Sequence, residues 1–203
     1  FVNSMKYIFI TTGATFGNMF SVAGASLLLP FLPMLPKQIL LTNLVTDLPF
    51  LTIASDQADA EQLEKPGKWD LKLIRNFMII FGLHSSIFDF ITFYVLYIHL
   101  KLSDSAFQTG WFLESSITEL LILFIIRTPK PFIRSRPGKL LLTASAFALL
   151  IIILLPISPF ASTLGFSIVS TQQLSFLLAI LVVYVITADV TKIIFFKYNR
   201  RNS

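Results

Sequence analysis

Apolar residues run along this chain in long blocks, separated by charged or proline-rich segments. Six blocks stand out, at about 7–29, 38–56, 77–100, 111–126, 140–155 and 174–196. A helix rises about 1.5 Å per residue, so roughly 20 residues cross a hydrocarbon core of about 30 Å. The pattern predicts an all-α membrane protein, a single domain over 1–203 with six spanning helices. Block 140–155 carries no charge. Block 111–126 is short, so it must borrow flanking residues or sit where the bilayer is thin.

Composition agrees with the pattern. Hydrophobic residues make up 55% of the chain and charged residues 13%, against about 25% charged in a soluble domain. Mean hydropathy is +0.77. A disordered tail, a collagen-like fibre and an ordinary nucleic-acid-binding domain are excluded, and a water-soluble enzyme is argued against. There is no cysteine, so neither a disulfide framework nor a thiolate metal site can form. Two histidines are too few for a histidine-built metal site. The chain starts Phe1-Val2-Asn3-Ser4, which is not a signal-peptide start, and it reads as a piece of a longer protein.

The net charge of +5 becomes informative once placed. Fourteen of the sixteen basic residues precede the first block, separate the second from the third and the fourth from the fifth, or end the chain. Only Lys37 and Lys101 fall in the remaining connectors. Cytoplasmic loops carry the Lys/Arg excess, so both termini and the basic loops are expected in the cytoplasm. The five basic residues of 127–139 serve as a topology determinant, or alternatively contact anionic headgroups. Three prolines in 30–36 predict a rigid turn that makes the first two helices an antiparallel hairpin. No internal repeat of the inverted-repeat transporter kind is present.

Apart from Asp56 at the very end of its block, five acids fall within the apolar blocks: Asp47, Asp89, Glu114, Glu119 and Asp189. An Asp at the centre of a spanning helix costs about 2.5–3.5 kcal/mol. Protonation, a water-filled cavity, a partner helix or a bound cation must compensate. Asn18, Asp47, Asp89 and Glu119 lie at or within a residue of the midpoints of their blocks, so four helices bring polar groups to one level. Thr15 and Asn18 share a helix face, as do Asn43 and Asp47, with Thr46 adjacent. Pro49 follows Asp47 and is expected to kink or unwind that helix. Freed carbonyls beside a carboxylate suit a hard cation, Mg2+ or Ca2+ rather than Zn2+ or Cu+.

Plainer readings stand beside these. Asn18 has the alternative of an interhelical hydrogen bond. Asp89, near Ser85 and Ser86, and Glu119 are each open between bundle hydrogen bonding and function. Glu114 reads as solvated near the outer end, and Asp189 as a helix-face ion pair with Lys192. His84 reads as packed or hydrogen-bonded, Trp111 as an interfacial anchor, and the 21 phenylalanines as lipid-facing or packing residues.

The stretch MKYIFITTGATFGNMFSVAGASLLLPFLPMLPKQILLTNLVTDLP resembles the fifth and sixth transmembrane helices of P-type cation ATPases. The stretches KPGKWDLKLIRNFMIIFGLHSSIFDFITF and GWFLESSITELLILFIIRTPKPFIRSRPGK resemble the bacterial magnesium-transporting branch. The resemblance covers nearly the whole chain. It implies the last six of ten membrane helices in a multi-pass protein of the plasma membrane. It implies an ATP-hydrolysing pump whose DKTGT-bearing phosphorylation, nucleotide-binding and actuator domains are absent from this chain. ATP would bind there, leaving no catalytic residue here, and the partners are the cation, the bilayer and those missing parts. Carried over, the ion ligands are Asn18, Asn43, Thr46 and Asp47, with Glu119 from the eighth helix. Mg2+ import is the expected function, with a calcium-type pump fragment or a non-pumping carrier as alternatives. Two departures stand out: Thr15 where many relatives have asparagine, and Pro49, closer to the calcium-pump pattern.

Overall fold

The computed structural model describes residues 1–59 and 69–201, without the side chains of 200 and 201. Lys65 and Lys68, two of the basic residues counted above, lie outside the described residues. The described chain is helical. Six long helices are α1 Val2–Leu28, α2 Pro36–Thr52, α3 Leu71–Phe93, α4 Asp104–Ile126, α5 Lys139–Leu154 and, after the one-turn α6 Ala161–Leu164, α7 Thr171–Arg201. α3 runs on into a π-helical turn, Tyr94–His99.

Five of the six long helices, α1 excepted, are long and apolar enough to span a membrane by length and composition. α1 has 27 residues, roughly 40 Å of helix, but threonines, glycines and Asn18 dilute its hydropathy. The fourth helix is not short. It begins at Asp104, so the polar residues before Trp111 are the flank it borrows. The second helix stays helical through Pro49 to Thr52. The helix does not unwind beside Asp47, and it loosens only into a 3-10 turn at Ile53–Ser55. Asp56 thus lies outside it.

α4 is the central post: 83% of its most apolar stretch is buried, against 22% for α7. α1 packs chiefly on α3, α2 on α5, and α7 on α4 and α3. The α1–α3 seam is built from small residues. Gly13, Gly17, Ser21 and Ala25 recur every fourth position and are all buried, the spacing that lets helix backbones approach closely. Ser86 of α3 donates across the seam to the Gly17 carbonyl at 3.1 Å. A Cβ on Gly17 would sit 3.1 Å from the Gly82 carbonyl oxygen.

Phenylalanines fill much of the interior rather than only facing lipid. One cluster, at the end holding the termini, contains Phe9, Phe77, Phe81 and Phe195. The other, toward the turns, contains Phe93, Phe107, Phe112 and Phe166.

The terminal end is tied by charge. Asp56 accepts from Lys6 Nζ at 2.8 Å and from the Gly138 amide at 2.9 Å. Arg127 Nε lies 3.5 Å from the same carboxylate, and its Nη1 donates to Ser135 at 2.9 Å. Arg127 is 1% exposed, so it is withdrawn from any headgroup contact, whereas Arg134, Arg136 and Lys139 stay exposed. Asp189 and Lys192 form the expected pair, and Lys192 also donates to the carbonyls of Ile125 and Lys130.

Two outcomes follow for the full-length protein. Gly17→Leu forces α1 off α3 and lowers the thermal midpoint, at a cost of about 1–3 kcal/mol. Gly13→Ala, whose Cβ would meet only side chains at 3.8 Å, leaves the midpoint near that of the parent. Asp56→Ala strands Lys6 and Arg127 without their anion and costs about 3–5 kcal/mol. Thermal unfolding in detergent and protease resistance of the 127–139 loop read both.

Candidate cation site

Between α1 and α2 the bundle opens into a cleft of about 590 Å³. Thr15 and Asn18 from α1, Asn43 and Asp47 from α2, and Glu119 from α4 line it. Each position follows from its helix. Asn43 and Asp47 are one turn apart and exposed, on the face of α2 turned away from α5. Thr15 lies on the exposed face of α1 away from the glycine seam, and Asn18 on the flank between the two. Glu119 reaches the cleft from the central helix and is 8% exposed.

Thr46 is placed differently. It is fully buried and absent from the cleft wall, and its hydroxyl donates to the Thr42 carbonyl at 2.9 Å. With Asn18 it faces the Glu119 carboxyl, on which Asp47 is the strongest charged neighbour. Glu119 Oε2 has no hydrogen-bond partner. The residues named on the cleft wall are therefore two acids, two amides and the Thr15 hydroxyl around one opening. Among the described residues no three of His, Cys, Asp and Glu converge. Such an oxygen-rich set with few charges suits a hard cation that retains part of its water. A smaller enclosed pocket of about 20 Å³ lies behind Asn18 and Glu119, toward Gly13, Ser115 and Tyr184.

Asp89 stands apart from the cleft. Its Oδ2 accepts from Ser21 at 2.6 Å and its Oδ1 from Trp111 Nε1 at 2.7 Å. Trp111 is thus no interfacial anchor: it is 2% exposed and packs edge-on against Phe93 at 4.8 Å. The reason is that an indole N–H is only a donor, and Asp89 is the acceptor it finds in the interior. Glu114 is likewise not solvated. It is 1% exposed, its carboxyl neighbours that of Asp89, and its Oε2 has no hydrogen-bond partner. Helical spacing would have put Trp111 and Glu114 three apart on one face of α4, but nothing in the sequence pairs that face with Asp89. His84 is hydrogen-bonded, to Thr187 at 2.9 Å.

Outside the spans, burial works against the charge of Asp59. Hydrogen bonds from Thr128 and Ser135, with Lys130 and Arg127 nearby, outweigh it and hold the carboxyl below the usual range. Its contribution is present above the ordinary carboxylate range and fades as pH falls through the lowered value.

The sequence comparisons agree with this arrangement of helices. Residues 31–194 match the family model described as cation transporting ATPase, C-terminus. The chain is 39% identical over 197 residues to "Magnesium-transporting ATPase, P-type 1" of Salmonella typhimurium strain 14028s, covering 95% of the chain and 22% of the relative. The protein of the same name in Escherichia coli K12 gives the same figures. A further one from Salmonella typhimurium LT2 is 38% identical over 202 residues, covering 97% of the chain and 22% of the relative. The chain thus spans about a fifth of the length of these relatives.

Trp111→Phe keeps the ring but removes the donor from a buried carboxylate. It costs about 1–3 kcal/mol, read as a lower thermal midpoint than for Phe112→Leu corrected for lost volume.

Proposed function

The chain belongs to the cation-transporting ATPase C-terminal family, and from that premise we propose that it is the cation-translocating membrane part of an ATP-driven pump with magnesium as cargo. The observation that carries the reading is the cleft, where Asn18, Asn43, Asp47 and Glu119 from three helices meet at one level. Asp47 is the central anionic ligand, and Glu119 is the second acid. Asn18 and Asn43 supply neutral oxygens. Thr46 supports Glu119 from behind rather than reaching the cleft.

Magnesium fits the chemistry better than calcium. Mg2+ binds through one or two carboxylates and keeps several waters, while Ca2+ takes six to eight oxygens. Two acids in a cleft wide enough for water match the former. Transport requires that the site bind the ion differently in two conformations. The energy comes from ATP, bound and hydrolysed by parts of the protein outside this chain, which with further membrane helices complete the pump. The protein is a multi-pass membrane protein. The basic ends and loops face the cytoplasm in this reading, and the membrane is the plasma membrane.

In the full-length protein, Asp47→Asn is expected to lower magnesium-stimulated phosphorylation and transport by at least about tenfold, the loss of one strong ion contact. Unchanged transport in that variant would remove Asp47 from the ligand set. Stimulation of the parent by calcium but not magnesium, across a panel of cations, would reassign the cargo. No cation-stimulated ATPase activity at all would favour a non-pumping carrier.

A further inference from the structure

The Asp89–Glu114 pair has a chemistry that the cleft does not use. Asp89 spends both carboxylate oxygens on donors, Ser21 and the Trp111 indole. Each oxygen keeps a further lone pair. Asp89 is therefore set up as an acceptor that can take one more donor. Glu114 lies against it, buried, with Oε2 unpartnered. No Lys, Arg or His among the described residues is bonded to either carboxyl. Two carboxylates within hydrogen-bonding reach in a low-dielectric interior cannot both be charged, and a single shared proton satisfies both. The other titratable groups facing the pair are Glu119 of α4 and Tyr184 of α7, with Asp47 beyond Glu119. None of them supplies a positive charge.

We infer that Asp89 and Glu114 form a proton-binding site distinct from the cation cleft, in which Glu114 carries the proton and donates it to Asp89. The site is linked to the cleft through the helices that build both. Ser21 is three residues from Asn18 on α1, and Glu114 is five from Glu119 on α4. A shift of α1 that moves Asn18 also withdraws the Ser21 hydroxyl from Asp89. That makes the Asp89 anion less favourable and tightens the hold of the pair on its proton. Binding in the cleft and proton affinity at the pair then change together, in the manner of any two linked sites.

The site itself does not depend on the pump reading, but its coupling to transport does, so the test has two arms. The first is infrared difference spectroscopy of the full-length protein in nanodiscs, titrated with pH. A protonated-carboxyl C=O band present at neutral pH is expected to disappear in Glu114→Gln. In Ser21→Ala its titration midpoint should move to higher pH. A spectrum unchanged by Glu114→Gln overturns the inference. So does loss of the band on adding MgCl2 in the Asp47→Asn background, because the pair would then be a cation site. Asp89→Asn, also expected to change the band, guards against misfolding of one variant. The second arm is the pH profile of magnesium-stimulated ATPase activity. Glu114→Gln, permanently uncharged, should raise the ratio of activity at alkaline to neutral pH by about threefold or more over the parent. A band that behaves as expected beside a protein without cation-stimulated activity would sink the pump reading and leave the proton site standing. An identical alkaline fall in parent and variant would sink the coupling.

Discussion

One carboxylate gathers four parts of the chain. Asp56 follows the end of α2 and takes Lys6 from the start of α1, Arg127 from the end of α4 and the Gly138 amide that opens α5. Burying an anion is costly unless it is paired and hydrogen-bonded. Here the cost is met only when all four ends meet. These helix ends are therefore held together, and Lys192, drawn onto the carbonyls of Ile125 and Lys130, docks α7 to the same end.

That constraint explains what happens further along the bundle. With α1 pinned at Lys6 and sewn to α3 through Gly17 and Ser86, and α2 packed on α5, the first two helices diverge. The cleft is the space between them. The buried acids then divide by how they are satisfied. Asp56 and Asp189 have cations. Asp89 has two neutral donors and a carboxyl neighbour. Asp47, which is exposed, and Glu119, with only the neutral Thr46 and Asn18 beside it, have no cation, and they face the opening. In a low-dielectric interior an acid without a cation is the expensive one, which is why the proposed ion site is centred on these two.

The central helix is the physical link between these regions. α4 carries Trp111 and Glu114 toward Asp89, Ser116 toward Thr42 at 3.1 Å, Glu119 toward the cleft and Arg127 into the terminal knot. One rigid element thus touches every polar group of consequence, and any rotation of it alters all of them together.

The helices, their number and their rough extents were legible in the sequence because apolar blocks of spanning length have one stable form in lipid, a helix with its backbone internally bonded. That Thr15, Asn18, Asn43 and Asp47 would share a polar wall was legible because the two pairs recur at helical spacing near block midpoints. The Asp189–Lys192 pair was legible because it is local. The rest concerned contacts between helices, and helical spacing says which residues share a face but not which helix that face meets. Trp111 reads as an anchor and Glu114 as solvated until α4 is placed at the centre of the bundle. Thr46 reads as a cleft ligand until its helix is rotated by packing on α5. Pro49 reads as a break until the surrounding packing keeps α2 helical to Thr52. These outcomes were decided by tertiary packing, because burial and hydrogen-bond partners are properties of the assembled interior and not of any one segment.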